Sequence, residues 1–206
     1  MLTAESAIAR KHTAISIQTK QIAMMHCQGC RVYIATYTTG KSGQAYQRIE
    51  EESGEEFWSI KAWTPPPHRR LKDPDVIITQ EERVTLLVEV KWGALPGRIS
   101  TDLLINPKEW EKMARLFTEP AMCRVRGPAV QNGIRYRSHD FQVAKDFYTD
   151  GKTQGVLVSD FHGLGKAKLE EFLRMWQKEK SGFLIADIDT RVCDIPSFKD
   201  VLEGNP

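Results

Sequence analysis

The sequence predicts an α/β domain with a mixed central β-sheet flanked by helices. Three observations carry that prediction. Residues 43 to 160 read in order as a helix, three strands, helical segments and a strand. The strand in GVLVSDF is nearly all apolar, as expected of one buried on both faces. The helix in KAKLEEFLRMWQKEK carries Leu169, Phe172, Leu173 and Trp176 on one stripe. With 206 residues and 41% hydrophobic content, the chain can fill one good core. It reads as a single domain over 1–206, with a core at about 43–160 and extensions at 1–42 and 161–206.

Each element has its own signal. ESAIARKHTAISIQTKQIAMMH contains a helix. RVYIATY is rich in β-branched and aromatic residues and reads as a strand. SGQAYQRIEEE reads as the first core helix, with Ser42 as N-cap and Gly54 ending it. EFWSIKAW alternates as a strand does. TPPPHRRLKD reads as a stiff basic loop, because three prolines remove ladder donors. PDVIIT and RVTLLVEVKW form a hairpin about the polar turn QEE. NPKEWEKMARLF is a helix with Asn106 as N-cap and Pro107 at its first position. CRVRGPAVQNGIRYR reads as a second hairpin, and HDFQVAKDFYTDGK reads as helical. GFLIADID is a strand, and a short helix closes the chain. The five tryptophans are core candidates.

Net charge is +2, so a nucleic-acid surface requires local clustering of Lys and Arg. No apolar run is long enough for a bilayer, and the polar start lacks a signal-peptide core. The expectation is a soluble, cytoplasmic protein without a membrane partner. A disulfide framework is not expected there, although the chain has four cysteines. His26, Cys27 and Cys30 have the spacing that opens a zinc site, but no second ligand pair follows to close it.

The chemistry concentrates in PDVIITQEERVTLLVEVK. Strand alternation puts Val84, Leu86, Val88 and Val90 on one face and Thr85, Leu87, Glu89 and Lys91 on the other. Folding at Glu81-Glu82 brings Asp75 within about one residue of opposite Glu89. An Asp, a Glu and a Lys then meet at one end of an apolar hairpin. Charges there are costly unless paired or bound to an ion. Mg²⁺ suits two carboxylates, a backbone carbonyl such as that of Val90, and substrate phosphate.

These residues resemble the PD-(D/E)XK nuclease superfamily. Pro74-Asp75 and Glu89-Val90-Lys91 spell its motif as PD…EVK. The resemblance implies a restriction-endonuclease-like core of order αβββαβ and a DNA endonuclease dependent on Mg²⁺ or Mn²⁺. It implies Asp75 and Glu89 as metal ligands and Lys91 as the catalytic lysine. Many members also carry a Glu or Gln on the first core helix, a place for Gln47 or Glu51, with Gln47 preferred. The stretch QRIEEESGEEF resembles the first helix of Holliday-junction resolvases, with Gln where they carry Glu. A double-strand cut needs two active sites, so a homodimer is expected.

DNA is the expected partner. Arg124 and Arg126 on one strand and Arg135 and Arg137 on the next share one face of a ribbon if the register holds. Such a ribbon fits the major groove. Arg69 and Arg70 in the proline loop and Lys41 are further candidates for phosphate contacts. Two other functions compete. The protein either binds nucleic acid on this fold without cutting it, or hydrolyses a nucleotide at ATYTTGKS through Lys41 and Ser42. The second is disfavoured because the spacers between Ala35 and Gly40 include no glycine, and a phosphate cradle needs permissive backbone.

Overall fold

A computed structural model of the chain describes residues 4–35, 58–64, 69–91, 107–131, 134–136, 142–162, 164–179 and 182–204. The elements are α1 (Ala4–His26), β1 (Cys30–Ile34), β2 (Ser59–Thr64), β3 (Arg69–Arg70), β4 (Val76–Gln80) and β5 (Arg83–Val90). They continue with α2 (Pro107–Thr118), β6 (Met122–Gln131), β7 (Ile134–Tyr136), β8 (Gln142–Tyr148) and β9 (Gln154–Ser159). The chain then forms α3 (Lys166–Glu179), β10 (Leu184–Asp187) and α4 (Phe198–Leu202). The class is α/β, with an open mixed sheet flanked by helices.

The sheet has two halves. In the first, β1, β4 and β5 run as an antiparallel meander, and β9 joins β5 in parallel, followed by β10. In the second, β3, β2, β6 and β8 are all antiparallel, with β7 folded back on the end of β6. The halves meet where Arg83 of β5 pairs with Tyr148 of β8. Ala35 and Trp58 form a second bridge between them.

One apolar cluster lies under α1 and α4. It joins Ile15 and Phe198 to Ile34, Ile78, Val88, Val90, Val156 and Val158. The other fills the space between the two halves of the sheet, α2 and α3. There Met113, Leu116, Leu169 and Phe172 meet Ile77, Leu87, Leu157, Ile60, Val125 and Phe147. β9 contributes to both clusters, which is why its sequence is nearly all apolar.

Several expectations change. QVAKDFY, read as helical, is the strand β8, paired with β6 from Met122↔Tyr148 to Pro128↔Gln142. Val143 and Phe147 are four apart and mimic a helix face, but pairing with β6 decides the conformation. β1 pairs with β4 along its whole length and α1 covers that face. Arg69 and Arg70 are a two-residue edge strand rather than loop. A β-bulge between Ile78 and Thr79 shifts the hairpin register, so Val84 joins Leu87's cluster rather than that of Val88. The helix read at 43–54 lies outside the described residues.

Cys27 and Cys30 are joined as a disulfide across the turn after α1, contrary to the expectation of free thiols. His26 turns away from them and bonds Glu203 through Nδ1 at 3.0 Å. Cys123 is buried and free. Burial first, and then the charge of Asp73, push its thiol up to about 12, so it stays protonated and unreactive.

Two glycines mark close approaches in the core. A Cβ on Gly127 would lie 2.5 Å from the Trp58 ring, and one on Gly155 would lie 2.7 Å from Phe117 and 2.9 Å from Phe183. Gly127→Ala and Gly155→Ala are each expected to cost about 1–3 kcal/mol through overpacking. For a chain of this size that lowers Tm by about 2–4 °C per kcal/mol. Gly151→Ala is the control, because its Cβ meets nothing within 4 Å. Thermal melts of the three variants check this.

Candidate active site

The hairpin β4–β5 positions the central pair. Val76 lies opposite Val88, so Asp75 stands beside Glu89. The Asp75 backbone is clamped on both sides. Its N–H donates to the Val88 carbonyl at 3.1 Å, and its own carbonyl accepts from Ala35 N–H at 2.7 Å. Its side-chain Oδ2 accepts from Val90 N–H at 2.8 Å. Lys91 is tied to β9 by its N–H, which donates to the Val158 carbonyl at 3.0 Å. Asp75 and Glu89 are only 3% and 1% exposed.

Cations surround these carboxylates. Lys91 Nζ lies 2.6 Å from Glu89 Oε1. Lys72 Nζ bonds the same oxygen. Lys72 is held in place by the residues on either side of it. Leu71 N–H donates to the Ala62 carbonyl at 3.0 Å, and Asp73 Oδ1 accepts from Ala62 N–H at 3.1 Å. From the other side, α1 contributes His12. Its Nε2 lies 3.1 Å from the Val90 carbonyl and 3.6 Å from Asp75 Oδ2. A carbonyl only accepts, so Nε2 carries the proton in that contact. Lys11, the preceding residue, pairs with Asp160 at 3.2 Å. Glu89 Oε2 is buried and has no hydrogen-bond partner among the described residues.

The electrostatics follow from this packing. Burial alone would raise the Asp75 pKa. The charge and hydrogen bond of His12, Lys91 and the Val90 N–H outweigh burial and hold the carboxyl well below its ordinary range. Glu89 moves the other way. Burial and the charge of Asp75 raise it above its ordinary value, against Lys91 and Lys72. Burial would lower Lys91, but Glu89 and Asp75 keep it above its ordinary value and charged. Burial would also lower His12, but Asp75 and then Glu89 raise it.

The structure brings together four of the residues expected from sequence: Asp75, Glu89, Lys91 and Val90. The Val90 carbonyl, expected as a metal oxygen, is already engaged by His12. Gln47, Glu51, Lys41, Ser42 and the spacers of ATYTTGKS lie outside the described residues, as does Arg137. Arg135 is placed by its backbone alone, opposite Val130 in the β6–β7 hairpin. Arg126 is exposed, whereas Arg124 is forked onto Asp146 at 2.6 and 2.8 Å, which cancels much of its charge. Arg70 pairs with Asp73 at 2.8 Å, and Arg69 is exposed.

Two site residues escape a reading of the sequence. Lys72 sits three positions before Asp75, inside what looks like a solvated basic loop. His12 is the more distant case, since its partners lie at positions 75 and 90. No local pattern announces a contact across that separation.

Among the described residues no group of three or more His, Cys, Asp or Glu side chains is arranged to hold a metal. Two carboxylates, one with an orphaned buried oxygen, fit the smaller donor set that Mg²⁺ completes with water and phosphate. No helix among the described residues is long and apolar enough to cross a membrane. No family model matches the chain, and neither the curated proteins nor the solved structures contain a significant match.

The raised His12 pKa gives a signed pH dependence in metal-free protein. A group whose folded pKa exceeds its unfolded value adds stability below the unfolded value, here 6.5, and loses it as pH rises through the folded value. His12→Gln is therefore expected to cost on the order of 1 kcal/mol at about pH 6. The difference from wild type should shrink steadily as pH climbs above that. Urea unfolding of both proteins across pH, with chelator present, measures it.

Proposed function

We propose that the chain is a metal-dependent DNA endonuclease of the PD-(D/E)XK type, with Asp75 and Glu89 as ligands for Mg²⁺ or Mn²⁺. The observation that carries this reading is the buried Asp75–Glu89 pair flanked by Lys91, with one Glu89 oxygen left unbonded among the described residues. Chain order supports it. α1, β1, β4, β5, α2 and β9 follow one another as helix, three antiparallel strands, helix and a strand parallel to the third. In that alignment β2–β3 and β6–β8 are insertions. The first core helix is then α1, and His12 is its residue at the site.

A bound divalent ion supplies Lewis-acid polarisation of the scissile phosphate and an acidified water. The chain's own groups do the rest. His12, Lys91 and the Val90 N–H hold Asp75 below its ordinary range, which favours its ionised form as a negative ligand. Glu89 would hold the cation, whose charge would compensate its costly burial. Lys91 remains protonated and stabilises charge developing on the phosphate. Lys72 places a second ammonium against the same carboxylate.

One observation favours a second reading. Glu89 is shared by two lysines, an ion-pair network that balances charge without any metal. On that reading the protein binds nucleic acid but does not cut it.

Plasmid, linear, single-stranded and branched DNA incubated with Mg²⁺ and with Mn²⁺ separate the two. The nuclease reading expects metal-dependent cleavage of at least one substrate, reduced at least about 100-fold in Glu89→Ala and in Lys91→Ala. Cleavage that survives both substitutions removes the site assignment. Absence of cleavage on every substrate favours the binding reading.

A further inference from the structure

The outer face of the β3–β2–β6–β8 sheet takes no part in the carboxylate site. Strand alternation sorts its side chains cleanly. Ile60, Ala62, Cys123, Val125 and Phe147 are buried inward. Lys61, Trp63, Arg124, Arg126 and Tyr148 alternate with them and lie on the other side. Trp63, Met122 and Tyr148 form one row across three strands, since Met122 pairs with both others. Lys61 and Arg124 share the next row, and Arg126 the one after.

This face has the parts of a stacking surface. Tyr148 is 57% exposed, one of the few large apolar side chains so exposed among the described residues. The Arg124 guanidinium lies 5.7 Å from the Trp63 ring centroid, and the Asp146 fork fixes its plane. Trp63 and Tyr148 stand two strands apart, about 10 Å. Around them Lys61 and Arg126 are exposed and form no ion pair among the described residues. Aromatic faces with exposed cations in the neighbouring rows match an exposed base and its phosphate. Duplex bases are stacked inside the helix and offer no such face.

We propose that this face binds single-stranded nucleic acid, with bases on Trp63–Arg124 and Tyr148 and phosphates on Lys61 and Arg126. The edge strand β3 leads toward the carboxylates. Arg70 pairs with Trp63, and Asp75 follows five residues later, at most about 18 Å away. Delivery of a strand to Asp75 and Glu89 rests on the nuclease reading; binding to the face does not.

The test is fluorescence anisotropy with the full chain in chelator, using a labelled single strand of about 20 nucleotides, its RNA equivalent and the duplex. Single strands are expected to bind at least about tenfold tighter than duplex, the loss expected when stacking is denied. Whichever sugar binds tighter names the substrate and supports the face. Tyr148→Ser weakens single-strand binding roughly 5- to 100-fold. Lys61→Gln with Arg126→Gln reduces the slope of log affinity against log salt by roughly 1.4. Thermal melts establish that the variants are folded. Duplex binding equal to or tighter than single strand, or a folded Tyr148→Ser variant with unchanged affinity, overturns the proposal. Binding here, with no cleavage of any substrate in the Mg²⁺ and Mn²⁺ incubations, leaves the face standing and favours the non-cutting reading. Cleavage with no preference for single strands does the reverse.

Discussion

Two carboxylates buried side by side, Asp75 and Glu89, are the constraint around which the rest of the structure is arranged. Each charge is expensive out of water, and each raises the cost of the other. The fold meets this with fixed donors from four directions. Val90 N–H comes from the same strand as Glu89. His12 arrives from α1, Lys72 from the segment after β3, and Lys91 from the strand end tied to β9. The compensation is uneven. Asp75 is held below its ordinary range, whereas Glu89 keeps a buried oxygen with no bonding partner among the described residues. That asymmetry is the feature a cation would relieve, and no well-packed apolar residue would reproduce it.

The second half of the sheet has a part in this arrangement. β2 anchors Leu71 and Asp73 through Ala62, and Lys72 between them is thereby aimed at Glu89. β2 in turn is held flat against β6, where Gly127 admits the Trp58 ring and Cys123 and Val125 enter the core. Packing far from the carboxylates therefore sets the position of one of their cations. The same packing turns the charged side of β2 and β6 to solvent.

The hairpin from Asp75 to Lys91 was legible in the sequence because its period-2 pattern and its polar turn agree. Its convergence of Asp, Glu and Lys follows from pairing alone. The bulge near Thr85 was not legible, since one extra residue leaves alternation on either side looking continuous. β8 was misread because Val143 and Phe147 have helical spacing, and only its partner β6 resolves the choice. α1 was legible as a helix but not as a wall of the site, because His12 meets residues more than sixty positions away. Trp63 looked like core by residue type, yet it lies on the outer face, half-buried beneath Arg124. Local pattern reported which elements form; long-range pairing decided what they surround.

The account turns on whether the Asp75–Glu89 pair takes up a divalent ion. Calorimetric titration of the metal-free protein with Mn²⁺, repeated near pH 6 in buffers of different ionisation enthalpy, addresses this directly. Because Glu89 is raised above its ordinary value, any proton it still holds is predicted to leave on binding. Glu89→Gln is predicted to lose both the binding and the proton release. An absence of binding by the wild-type protein, or binding that Glu89→Gln leaves unchanged, would contradict the account.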